Sequence, residues 1–189
     1  MKMTAPLMAE LHRDHVNIAA LARVAEGVLK AIEADDDPDY ELLEDVMRYL
    51  TGYSDATHHP NEDVVFEVLE RRAPEAAPDI GAIASEHDRL VEQGRVFLER
   101  LEALKDEAIV SRAELLRSAR AYFSALHKHM SVEESTLFPL ADRRLTEADW
   151  HAIREQILVA TDPLFGPTKD ANFRRLWERI AAHQEPPRP

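Results

Sequence analysis

Residues 57–63 read THHPNED, and within them His58 and Glu62 stand four positions apart. On a helix that spacing projects both side chains from one face, so one imidazole and one carboxylate can serve a common point. The pairing returns at His129 and Glu133, inside LHKHMSVEESTLFPL at residues 126–140. Each pair follows a lone histidine at nearly equal distance: His15 precedes His58 by 43 positions and His87 precedes His129 by 42. The chain reads as two helical hairpins built on one plan.

Working outward, apolar residues at helical spacing predict a first helix from Leu7 to about Ala34, through Leu11, Ile18, Leu21, Ala25, Leu29 and Ile32. The run DDDPDYELL at 35–43 offers Asp37 as an N-cap and Pro38 as the first helical residue of a second helix that continues through THHPNED to about Arg72. Pro60 cannot donate to the carbonyl of Ala56, which predicts a kink or a local widening beside His58. After Pro74 and Pro78, Asp79 is the candidate cap of a third helix reaching Leu101. Ser111 with Glu114 reads as a capping box opening a fourth helix that ends near Pro139. Thr146 then caps a short helix containing Trp150 and Ile153, and a last amphipathic segment surrounds Phe173, Leu176 and Ile180. The expected fold is all-α: an antiparallel up-and-down four-helix bundle over residues 1–145, with short C-terminal accessory helices over 146–189 packed on it and a frayed EPPRP tail.

Composition narrows the function. A net charge of −13, with no isolated cluster of Lys and Arg, argues against nucleic acid as a partner. The absence of cysteine removes disulfides, thiolate chemistry and iron–sulfur ligation, so any metal must take nitrogen and oxygen donors. No signal peptide is evident at MKMTAPLMAE and no apolar stretch has membrane-spanning length, so a cytoplasmic protein with no membrane partner is expected.

Polar residues on the apolar stripes make the candidate site: His15, His58, Glu62, His87, His129 and Glu133. Burying two carboxylates without a cation costs several kcal/mol, whereas two cations would each receive two nitrogens and two oxygens if both carboxylates bridge. Room then remains for an oxo or hydroxo bridge and an external ligand. Three substitutions within this set stay open: His12 for His15, His59 for His58, and Glu134 for Glu133. His151 with Glu155 repeats the spacing in an accessory helix without a counterpart and is not expected to bind metal. Tyr122, seven positions before His129, could face the site, and the small residues Ala19, Ala22 and Gly94 could leave a gas-sized pocket.

The segments LHRDHVNIAAL, YLTGYSDATHHPNEDVVF, ASEHDRL and LHKHMSVEESTLFPLA resemble the successive motifs of the bacterial hemerythrin-like family, also called the HHE cation-binding domain, over about residues 7–142. The resemblance implies a four-helix bundle holding two iron ions bridged by two carboxylates, with His15, His58, Glu62, His87, His129 and Glu133 as ligands. It further implies that a small diatomic ligand or peroxide binds or reacts there, in sensing, stress response or iron handling; the alternative is a di-iron oxidoreductase, catalase-like or nitric oxide-reducing. Oxygen-carrying members place another histidine where this chain has Val91, so the centre is expected to be short of one imidazole. Iron suits mixed imidazole and carboxylate donors, and zinc or manganese would fit the same cage.

Overall fold

Leu11, Ile18, Leu21, Ala25, Leu29 and Ile32 form the buried face of the first helix, α1, Pro6–Ala34. The computed structural model describes residues 6–105, 110–167 and 170–183, and all regular structure among these is helical. The protein is an all-α bundle.

α1 ends in a reversal that places Asp35 and Asp37 in the left-handed backbone region, with φ 60° and 37°. Asp37 is thereby used in the turn, so the cap of the second helix is Asp39 instead, whose carboxylate accepts from the Leu42 N–H at 2.9 Å. α2 runs Tyr40–Tyr49. The coil then widens over Leu50–His58 and resumes as α3, His59–Arg72. This is the widening that Pro60 requires: the His59 N–H reaches back five residues to the Ser54 carbonyl, opening the turn that the proline ring would otherwise strike.

The fourth long helix uses the same device. α5, Arg112–Val132, passes through a wide turn at Glu133–Leu137 into α6, Phe138–Arg144, and the Phe138 N–H bonds to the Glu133 carbonyl. Pro139 sits at the second position after this turn, so the helix expected to stop there runs on to Arg144. Between these helices lies α4, Ala77–Lys105, preceded by a 3-10 turn at Pro74–Ala76. Asp79 stands inside its first turn rather than capping it, where its charge faces the positive end of the helix dipole. The box expected at Ser111 is not formed: the Ser111 carbonyl accepts from Glu114 and Leu115 N–H, and its side chain makes no capping bond. Thr146 does close a capping box, with Asp149, at the start of α7, Glu147–Arg154. A turn at Ala171–Phe173 leads into α8, Arg174–His183.

The buried apolar residues fall into two clusters separated by a polar layer. One gathers Leu7 and Leu11 of α1, Val65 and Leu69 of α3, Ile83 of α4, Leu137 and Ala141 near α6, and Ile153 of α7. The other gathers Ile18 to Ile32 of α1, Leu42 to Leu50, Leu90 to Leu101 of α4, and Leu115 to Met130 of α5. The start of α1 thus shares an end with the finish of the second long helix, the start of the third and the finish of the fourth, the distribution that alternating helix directions produce. Leu164, Leu176 and Ile180 join the second cluster, so the C-terminal segment contributes to both. It is tied down by Arg72 to Asp149, by Asn61 to the Leu158 backbone and by Tyr49 donating to Asp162 at 3.0 Å. The EPPRP tail lies outside the described residues. No described helix is long and apolar enough to cross a membrane.

Gly94 of α4 faces the widened segment of the second helix. A Cβ there would lie 2.9 Å from the Thr51 methyl and 3.1 Å from the Tyr122 ring, whereas one on Gly27, in α1, would meet nothing within 4 Å. Gly27→Ala should therefore stabilise the protein by about 0.5–1 kcal/mol through helix propensity. Gly94→Ala should destabilise it by about 1–3 kcal/mol through overpacking despite the same gain. Urea unfolding of the two variants beside the parent checks both signs.

Candidate metal centre

Between the two apolar clusters every long helix contributes polar side chains, and they are sealed from water. Glu62 and Glu133 are 0% exposed, His58 and His129 1%, and His15, His59 and His87 5%. The register follows from the stripes: His15 lies between Leu11 and Ile18, and His87 between Ile83 and Leu90, each four positions or fewer from apolar neighbours on the same face. Phe138 stacks on the His15 ring at 5.1 Å and closes that side.

Glu62 divides its two oxygens. Oε1 lies 3.2 Å from Nε2 of both His15 and His58, while Oε2 lies 3.5 Å from Nε2 of His87. Glu133 approaches His129 and His15 through Oε2, at 3.1 and 3.4 Å, and His87 through Oε1 at 3.6 Å. None of the four carboxylate oxygens, nor Nε2 of His58, His87 or His129, has a hydrogen-bond partner. Native interiors rarely leave such atoms unpaired, and leaving several together is costly. Donors of this kind, orphaned and converging, fit a cation at their centre. The ligand atoms fall into two mutually close groups, within 4.8 Å: His15, His58 and Glu62 in one, and His59, Glu62, His87 and His129 in the other. Glu62 belongs to both.

Behind the inner residues stands a second set of carboxylates, each beside an Nδ1 atom. Asp14 pairs with His58 at 3.3 Å, Asp63 with His87 at 2.9 Å, Glu86 with His129 at 3.5 Å, and Glu134 with His15 at 2.8 Å. The contacts run in a circuit, from the first long helix to the second, second to third, third to fourth, and fourth back to first. Each of these acids is the sequence neighbour of an inner residue, and a step of one residue turns the side chain about 100° toward the adjoining helix. At His15, His58 and His87 the carboxylate is hydrogen-bonded to Nδ1 and fixes the tautomer that leaves Nε2 facing the interior, whereas Glu86 stands too far from His129 for a hydrogen bond.

Without a cation, protons supply the positive charge. Burial alone would lower His15, but Glu133, Glu134 and Glu62 outweigh it and raise its pKa to about 11. Burial is likewise outweighed at His87 by Asp63, Glu133 and Glu62, giving about 11, and at His58 by Glu62 and Asp14, giving about 9. His129 is lowered, by burial above all. Glu62 is held well below the usual carboxylate range, since His58, His15 and His87 overcome the burial that opposes its charge.

All six residues singled out by spacing come together here. Of the open substitutions, His12 is 62% exposed and pairs with Glu134, and Glu134 stands behind His15 rather than among the inner donors. His58 and His59 are both inside, in different groups. The gas-sized pocket expected around Gly94 is filled at that point by Thr51 and Tyr122, and the Tyr122 ring packs on Phe123 at 5.2 Å. His151 and Glu155 form a surface pair, 79% and 72% exposed. Sequence spacing missed Asp14, Asp63 and Glu86; their signal was adjacency to an inner residue.

The chain matches the family model described as the Hemerythrin HHE cation binding domain over residues 7–141. It belongs to that family. No curated protein matches the chain.

Metal binding here competes with protons. The raised histidines stabilise the metal-free protein fully below their unfolded pKa of about 6.5, and that contribution is lost as pH rises through the folded values of about 9 to 11. The metal's contribution runs the other way. Adding Zn2+ at about pH 7 should release protons to a pH indicator, and the resulting rise in Tm should grow between about pH 6 and pH 9.

Proposed function

We propose that this chain is a non-haem di-iron protein that binds or reacts with oxygen, peroxide or nitric oxide, in sensing, stress response or iron handling. Membership of a cation-binding family supports the metal. The observation that carries the reading is the convergence of four orphaned carboxylate oxygens from Glu62 and Glu133 on the unpartnered Nε2 atoms of His58, His87 and His129. Two carboxylates with no solvent exposure in one layer would cost several kcal/mol uncompensated. His15, His58, Glu62, His87, His129 and Glu133 are the proposed ligands, with Glu62 shared between the two positions. Nitrogen and oxygen donors without thiolate suit iron, and zinc or manganese would fit the same cage.

When bound, the iron pair supplies redox equivalents and a Lewis-acidic position for a small ligand. The chain's own residues do the rest. Glu62 spans the two donor groups and fixes their separation. Asp14, Asp63 and Glu134 hold His58, His87 and His15 in the metal-binding tautomer, so that these rings present Nε2 without reorganisation. Phe138, stacked on His15, excludes water from that side. Glu134 touches both the buried His15 and the exposed His12, at 2.8 and 2.9 Å, and provides the hydrogen-bonded contact between the layer and the surface.

Protein purified anaerobically with ferrous iron should carry two irons per chain and change its absorption spectrum on exposure to oxygen, peroxide or nitric oxide. Glu62→Gln should reduce the iron content to one or less, because that carboxylate serves both positions. Metal at about 100-fold its Kd should stabilise the parent by about 2.7 kcal/mol. A purified protein that holds no metal and gains no thermal stability from any divalent ion would overturn the proposal. Steady-state peroxide consumption by the iron-loaded protein distinguishes an oxidoreductase from a binding protein.

A further inference from the structure

His59 has no part in the six-residue set, yet it is built into the polar layer like the others. It is 5% exposed, its ring stacks on His87 with centroids 4.4 Å apart and planes 13° apart, and it meets His129 edge-on at 5.5 Å. One of its ring nitrogens lies within 4.8 Å of the ligand atoms of Glu62, His87 and His129. His59 also has its own outer carboxylate: Asp55, one turn back, places Oδ1 3.3 Å from Nδ1. Both Asp55 oxygens are buried and otherwise unpartnered. The other four histidines of the layer likewise have a carboxylate beside Nδ1, and His58, His87 and His129 leave Nε2 without a partner.

We propose that His59 is a metal ligand in its own right, donating Nε2 to the ion held by His87 and His129, while the adjacent His58 serves the ion held with His15. Two neighbouring residues of a helix point about 100° apart and do not ordinarily address one site. Here the site is two ions wide, and the widened turn at Leu50–His58 swings His58 and His59 apart with ring centroids 5.7 Å from each other. Val91, one turn beyond His87 on α4, is 42% exposed and offers no donor. With His59 counted, one donor group supplies three imidazoles and the other two.

The inference rests on the metal-centre reading above, and the experiment separates the two. Metal-free parent, His59→Leu and the surface control His151→Ala are loaded anaerobically with ferrous iron, counted by elemental analysis, and titrated with Co2+ against a chromophoric chelator. The parent and the control should hold two ions. His59→Leu should hold one ion as tightly as the parent and lose at least about tenfold in affinity for the other, with a changed Co2+ absorption band. His59→Ala should regain the second ion when free imidazole is added. Should His59→Leu not fold, Asp55→Asn carries the same test through the Nδ1 contact, with an expected loss of roughly 10–100-fold at that ion alone. Two ions held with parental affinities and an unchanged Co2+ spectrum in these variants would overturn the role of His59 while leaving the centre intact; a parent that holds no metal would overturn both.

Discussion

Two carboxylates with no exposure to solvent, Glu62 and Glu133, set the terms for the rest of this molecule. A buried carboxylate must be met by positive charge, and no arginine or lysine stands among the inner donors, so imidazolium or a cation has to do it. That one requirement explains why each long helix places a histidine on its apolar stripe and why the apolar core is split.

The four outer acids solve a related problem. An imidazole can rotate and can take either tautomer, and a metal site that had to organise both on binding would lose affinity. Asp14, Asp63, Glu86 and Glu134 hold each ring from behind, and because each acid lies on the neighbouring helix, the same contacts join the helices in a closed ring. Helix geometry supplies the second function at no extra residue. The wide turns serve the same layer: one ends at His58 and the other begins at Glu133, so local departures from α geometry coincide with the donors.

Much of this was legible in the residues. The HxxxE pairs, their equal offsets from His15 and His87, and the apolar periodicity led to the all-α bundle and to the six inner residues, because those features depend only on helix pitch. The widening beside Pro60 was legible too, since a missing donor has few outcomes. What the sequence could not resolve were choices between adjacent residues. Asp37 is the cap that its place before Pro38 suggests, and only the left-handed φ there moves the cap to Asp39. Pro139 looks like a terminator until the preceding turn opens. His58 and His59 compete for one place in an ideal helix and share two places in a widened one, and Glu134 is a plausible donor until it is seen behind His15. At His59 and Pro139 the difference came from assuming regular α geometry at the point where the chain abandons it.

The polar layer also governs how the molecule comes apart. It interrupts the hydrophobic interior of all four long helices at the same height, leaving Leu7, Leu11, Val65 and Leu137 on one side and Leu21, Val46, Phe97 and Leu126 on the other. Dispersion and water exclusion act within each half but weaken across a seam made of charged groups. Folding cooperativity between the halves is then carried by whatever fills that seam, protons or ions, and cation occupancy becomes the link that makes two half-cores melt as one.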